Sequence, residues 1–305
     1  MRALLAGELR RVWARRLVKV ILMLAATAVV VAATITFFRT HALSDAALQA
    51  RVEAAQSQFQ SDSGLPPCPP GVRPDLSPGA HTLTCVPSNA SFVRDPRFHL
   101  SKLKPILEGV TAPFIIVSCL IGASVIGADW QSRTLTTVLT WEARRARVLS
   151  AKVLACIIVA ALITLAGMAW LGLLLTPVAL VHGTTAGTDG AWWQSVAGVL
   201  LRAMAMSAIV TTIGFSIASM GRNTAAALGA LFAYIVVIEN VVGNFLEGWR
   251  RWLVLGNSIV FVSGRSGEAT GVHGRSVTVA GLYLAAVALG LFAAATAIFA
   301  RRDVA

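Results

Sequence analysis

Six apolar runs, each long enough to cross a bilayer, constrain this chain more than any other feature. They fall at 18–38, 105–128, 151–176, 194–220, 225–245 and 279–300, separated by polar breaks. A helical span needs about 20 mostly apolar residues. Within hydrocarbon the backbone must satisfy its own hydrogen bonds, which a helix does inside one segment. Composition agrees: 56% of residues are hydrophobic and 13% charged, with mean hydropathy +0.72, against about 25% charged in a soluble domain. The expectation is an all-α integral membrane protein with six transmembrane helices, built as one transmembrane domain over 1–305.

The formal net charge of +12 raises nucleic acid as a partner, but the basic residues bracket the apolar runs instead of lining one soluble face. Their distribution orients the chain. Six precede or open the first run (Arg2, Arg10, Arg11, Arg15, Arg16, Lys19), five lie in 127–152, one is Arg222 and two are Arg301 and Arg302. The connection 177–193 has none. The 39–104 loop holds seven, but long loops cross largely regardless of charge. Six spans with both ends cytoplasmic satisfy this pattern, and no nucleic-acid partner is needed to explain the charge.

Between the runs, 1–17 reads as a basic amphipathic helix for the headgroup layer, with Leu4, Leu5, Leu9, Val12, Trp13 and Leu17 among the cations. A cleaved signal peptide is the competing reading; the following apolar run is too long for one and ends without a small-x-small site. The 39–104 loop is extracytoplasmic on this topology, with a short helix expected over Ala46–Phe59 before a Pro-rich stretch. It carries Cys68 and Cys85, which could pair in an oxidising space. Cys119 and Cys156 sit inside apolar runs, where a lone Cys packs as a small hydrophobe. Residues 246–278 mix apolar residues with Gly256, Gly264, Gly267 and Gly271, the pattern of half-inserted outer helices before the last span.

The stretch from Gly127 to Lys152 is the chain's most distinctive inner segment. Trp130, Leu135, Val138, Leu139 and Trp141 recur at roughly helical spacing among polar residues, as in a helix lying along the bilayer surface. A plain basic helix on anionic lipid is the alternative reading of the charge. No catalytic pattern accompanies it. Gly122-Ala-Ser-Val-Ile-Gly127 continues with Ala-Asp and so lacks the Lys and hydroxyl of a phosphate loop. HExxH and G-x-S-x-G do not occur, and the five His are scattered, so neither a metal site nor an intrinsic enzyme is expected.

Ionisable residues inside spans are costly and point to function. Glu108, Arg202 and Glu239 qualify as a candidate substrate path. Arg202 and Glu239 lie roughly 27 and 21 Å from their inner helix ends at about 1.5 Å per residue, which allows an Arg202–Glu239 pair. A structural ion pair, or snorkelling to the outer headgroups, is the alternative role.

The layout resembles the permease subunit of an ABC transporter of the type 2 exporter family. Gly127-Ala-Asp129, Arg133-Thr134-Leu135, Val138-Leu139, Arg144/Arg145/Arg147 and Ala151-Lys152 follow that family's inner pattern, and Phe299-Ala-Arg-Arg-Asp-Val is similar to its endings. Asp129 stands where Glu is common, Arg133 where Gly is, and Glu142-Ala143 where Pro is. The resemblance implies a multi-pass protein of the bacterial cell membrane, in which two permease copies pair as a homodimer or heterodimer. Separate ABC ATPase subunits would supply ATP and magnesium; no cofactor is expected in this chain. It further implies that 129–150 is the cytoplasmic coupling region, with Asp129, Trp130, Arg133, Thr134, Leu139, Arg144 and Arg145 facing the ATPase. The cargo would be hydrophobic or amphipathic. Two other classes compete: a membrane-anchored interaction or immunity protein acting through its outer loop, and an ion-coupled secondary transporter. The latter calls for inverted repeats and broken spans with midplane acids, which the sequence does not display.

Overall fold

Every expected span is a helix, and several outrun their apolar segments. The computed structural model describes residues 2–41, 44, 46, 47, 50, 54, 72–74, 85–87, 97–132, 134–141, 144–242, 245 and 247–301. Over these the elements are α1 (Arg2–Ala14), α2 (Arg16–Arg39), α3 (Leu103–Gln131), α4 (Thr134–Trp141), α5 (Arg145–His182), α6 (Gly190–Gly221), α7 (Thr224–Ala233), α8 (Val254–Ser263), α9 (Gly267–Thr270) and α10 (Val277–Arg301). A π-helical stretch, Tyr234–Val242, continues α7. Four short strands are β1 (Val72–Pro74), β2 (Cys85–Pro87), β3 (Phe98–His99) and β4 (Gly183–Thr184). The protein is an all-α membrane protein: six of its helical stretches are long and apolar enough to span a bilayer.

Boundaries moved where side chains outside the apolar window continue the helix. The interfacial helix expected over 1–17 ends at Ala14, and a break at Arg15 separates it from the first span. The third span, expected over 151–176, runs from Arg145 through Pro177 to His182. Its 38 residues make about 57 Å of helix, against about 30 Å of hydrocarbon. The connection to the next span therefore shrinks from 177–193 to the seven residues 183–189. Of the helix expected over Ala46–Phe59, Ala46, Ala47, Ala50 and Ala54 are helical and the rest lies outside the described residues.

The chain packs as two compact units, 1–30 with 102–173 and 187–305, and 31–101 with 174–186. In the first, α5 is central: 61% of its most apolar window is buried, against 11% for α2 and 6% for the fifth span. The α3–α6 interface is made by small residues. A Cβ on Gly122 would strike the Thr211 carbonyl, and one on Gly214 would sit 2.8 Å from the Cys119 oxygen. Backbones that close interlock without bulky side chains. Across the same seam Thr211 Oγ1 donates to the Ser118 carbonyl at 3.1 Å, and the Thr164 and Ser207 hydroxyls meet at 2.7 Å between α5 and α6. A tight turn at Gly221-Arg-Asn-Thr joins α6 to α7, with Arg222 left-handed (φ 54°) and Asn223 Oδ1 capping Ala225 N at 2.9 Å.

In the second unit, β1 pairs antiparallel with β2, and β3 pairs parallel with β4. Gly183 is required there, because a Cβ would collide with the Phe98 carbonyl. The His182 ring lies 4.4 Å from that of Phe37. Cys85 belongs to β2, while Cys68 and hence the Cys68–Cys85 pairing lie outside the described residues.

Candidate coupling site

The end of the first unit that carries α1 and the last turn of α10 also carries α4. This eight-residue helix forms between two spans. Ser132 Oγ donates to the Ala128 carbonyl at 2.8 Å, Thr134 Oγ1 donates to the Asp129 carbonyl at 3.3 Å, and the two hydroxyls meet at 3.0 Å. These bonds satisfy carbonyls that α3 leaves open at its C-terminus. Leu135 is 1% exposed and anchors the helix inward, whereas Thr137 and Thr140 are exposed. Leu139 sits on this helix, and Arg133 lies outside the described residues. Arg144 is exposed, and its carbonyl starts α5 by accepting from the amides of Arg147 and Val148. Arg145 Nη1 instead donates to the carbonyls of Phe299 and Ala300 at 3.3 and 3.4 Å. It thus supplies a cation to the negative end of α10.

Behind this helix lies a buried ion cluster that sequence reading did not anticipate. Lys152, with no exposed side-chain surface, donates to Asp129 Oδ2 at 2.7 Å and to Glu8 Oε1 at 3.0 Å. Arg15, at the α1–α2 break, donates to Asp129 Oδ1 at 2.9 Å and to the carbonyls of Ser124 and Val125. Arg11 adds a looser contact to Glu8 at 3.4 Å. Two buried carboxylates thus face two cations, the near-neutral arrangement a low-dielectric site demands. Asp129 was expected on the partner-facing surface; it is 3% exposed and spent on Lys152 and Arg15. Likewise Arg15 and Lys152 are not surface cations, so the exposed positive charge at this end is smaller than the residue count implies. The partners lie 114, 144 and 23 residues apart, and the sequence signal for them was faint: a lone Glu8 on an otherwise basic amphipathic helix.

Trp130 is half-buried and joins three elements. Its ring meets Phe299 edge-on at 5.8 Å, and the Arg222 guanidinium lies over it at 4.9 Å from the centroid. That cation–π contact is worth roughly 0.5–1 kcal/mol where exposed. Trp130 is therefore a linchpin between α3, the α6–α7 turn and α10. Together these contacts tie α1, α3, α5 and α10 to one another beside α4, which Leu135 and the Thr134–Asp129 bond hold to that end.

At the opposite end of this unit the expected Arg202–Glu239 pair does not form. Each instead holds one end of α8. Leu253, the N-cap of α8, offers no side-chain cap; Glu239 Oε1 accepts from Leu255 N at 2.7 Å and Tyr234 Oη accepts from Val254 N at 3.2 Å. At the other terminus Arg202 Nε donates to the Val262 carbonyl at 3.2 Å and packs against Gly264. A carboxylate at the N-terminus and a guanidinium at the C-terminus both complement the helix dipole. The two residues answer opposite ends of a helix of about 15 Å, which explains why similar heights did not bring them together. Glu108 pairs with Arg265 at 3.2 Å, a contact that ties α3 to the segment after α8. Arg275 donates to the Arg251 carbonyl at 2.7 and 3.1 Å, and Tyr283 Oη donates to that of Trp252 at 2.6 Å, completing the frame around α8.

A family model described as a protein of unknown function (DUF2705) matches residues 104–305. No curated protein matches the chain.

Proposed function

The chain belongs to the DUF2705 family, and from that premise we propose that it is the transmembrane permease subunit of an ATP-driven ABC exporter, worked by a separate ATPase. The observation that carries this reading is α4: a short helix between the second and third spans, anchored by Leu135 and backed by the buried cluster of Glu8, Arg15, Asp129 and Lys152. A helix free to bend would dissipate a push from outside, whereas one seated on buried ion pairs passes it to the spans. The family match starts at Lys104, so it covers five of the six spans and α4, and leaves out α1, α2 and the 39–104 loop. That favours transport over an interaction protein working through its loop. In this reading α4 faces the cytoplasm of a bacterial cell, and a second permease copy completes the pathway. A hydrophobic or amphipathic cargo is moved because its affinity differs between inward- and outward-facing states.

The test is co-purification of the tagged full-length chain with an ABC ATPase encoded beside it, followed by ATP hydrolysis in lipid nanodiscs. The expected result is capture of the ATPase by the wild type and its loss with Thr137→Arg or Thr140→Arg, two exposed positions on α4. Ala186→Arg, in the connection between α5 and α6, should leave capture intact. ATP hydrolysis by the permease alone, or undiminished capture by both α4 variants, overturns the reading.

A further inference from the structure

The seam between α2 and α5 is polar at one end and apolar along the rest of its length. At the end near the α1–α2 break, a cavity of about 490 Å³ opens between Leu9, Arg10, Trp13, Lys19, Val159 and Leu162. This falls in the size range of ligand pockets, about 300–1,000 Å³. Further along the same two helices a second cavity of about 220 Å³ is lined only by apolar residues, among them Ala26, Val29, Gly167 and Trp170. From Lys19 to Val29 is about 15 Å of helix, so the two cavities follow one another along a single groove.

We propose that this groove binds one anionic phospholipid, its headgroup on Arg10 and Lys19 and one acyl chain laid in the apolar slot above. Charge selects the ligand. Arg10 and Lys19 are exposed and have no acidic partner among the described residues. The nearby carboxylates of Glu8 and Asp129 are already taken by Lys152, Arg15 and Arg11. Trp13, 49% exposed, sits beside the two cations, the side chain favoured at a membrane–water boundary. The groove also faces lipid: Val20 and Leu24 beside it are 52% and 65% exposed. Only an amphipath matches two cations at one end and a dry slot at the other. The inference stands apart from the transport reading, since it needs only that the helices span a membrane.

Native mass spectrometry of the full-length chain, released from nanodiscs of equimolar phosphatidylglycerol and phosphatidylcholine, tests it. One phosphatidylglycerol per chain should be retained in preference to phosphatidylcholine. A cation near an anionic leaflet contributes about fivefold in affinity, so Arg10→Gln with Lys19→Gln should weaken retention on the order of 25-fold. Arg16→Gln, an exposed cation outside the groove, serves as the matched loss of charge and should change little. Ala26→Phe should reduce retention without altering charge, by filling the slot. Equal retention of the two lipids, equal loss in Arg16→Gln and Arg10→Gln, or unchanged retention in the double variant overturns the proposal.

Discussion

Lys152 decides most at the scale of single residues. An ammonium with no exposed surface persists only because Asp129 and Glu8 both accept from it, and removing one partner of such a group leaves a stranded charge. Lys152→Met, which leaves two carboxylates facing each other, should cost about 3–5 kcal/mol in unfolding measured by chemical denaturation in detergent. Pairing Lys152→Met with Asp129→Asn should recover part of that loss; no recovery would place the damage in packing instead. Glu268 is a milder case, on the short helix α9. The hydrogen bond from His273 at 2.8 Å, helped by the Gly274 amide at 3.1 Å, holds its carboxyl below the usual carboxylate range. A lowered carboxylate stabilises above its unfolded value and loses that contribution as pH falls through its folded one. Amide exchange at Gly274 should therefore accelerate on acidification, and Glu268→Gln should remove the pH dependence.

At the scale of elements, the governing feature is that α8 is capped by side chains from its neighbours. A helix of ten residues is too short to be stable alone in water, and its termini expose orphan amides and carbonyls. Glu239, Tyr234 and Arg202 answer these groups, so α8 belongs to the frame made by α6 and the fifth span. Glu239→Ala should cost about 1 kcal/mol, the usual value of an N-cap. Hydrogen exchange should show the loss first in the amides of Val254 and Leu255. Uniform loss of protection along the chain would instead mark a general folding defect. The α3–α6 seam makes a second prediction. Gly122→Val should separate the helices at a cost of about 1–3 kcal/mol. Gly290→Ala, where an added Cβ meets nothing within 4 Å, should be neutral or slightly stabilising.

For the whole molecule, α1, α4 and the last turn of α10 sit at one end of the bundle, where Glu8–Lys152 ties α1 to α5, and Trp130–Phe299 and Arg145–Phe299 tie α3 and α5 to α10. The Lys and Arg of the short loops predict that this end faces the cytoplasm. A single cysteine at the exposed Arg144, on a background free of other reactive thiols, should react with a membrane-impermeant reagent only in inverted vesicles. One at the exposed Ala186 should react from outside intact cells. Labelling of Arg144→Cys from outside would invert the topology and remove the coupling site from the cytosol.

Length and composition alone determined that this chain is a helical membrane protein, how many spans it has, and which segments lie between them. Those properties are local: hydropathy sums along a run of about 20 residues, and a backbone in hydrocarbon has few other ways to satisfy itself. The short helix between the second and third spans was legible in part: Leu135 and Val138 recur at helical spacing and lie on α4, whereas Trp130, expected on the same helix, belongs to the end of α3. What each charge does was decided only in three dimensions. Asp129 reads as a surface acid and is a buried one; Arg202 and Glu239 read as partners and are opposite caps of α8. Sequence places a charge at a depth, but its worth depends on what has been carried to within about 3 Å of it. For Arg15, Glu8 and Lys152 that is a matter of helices packing across more than a hundred residues of chain.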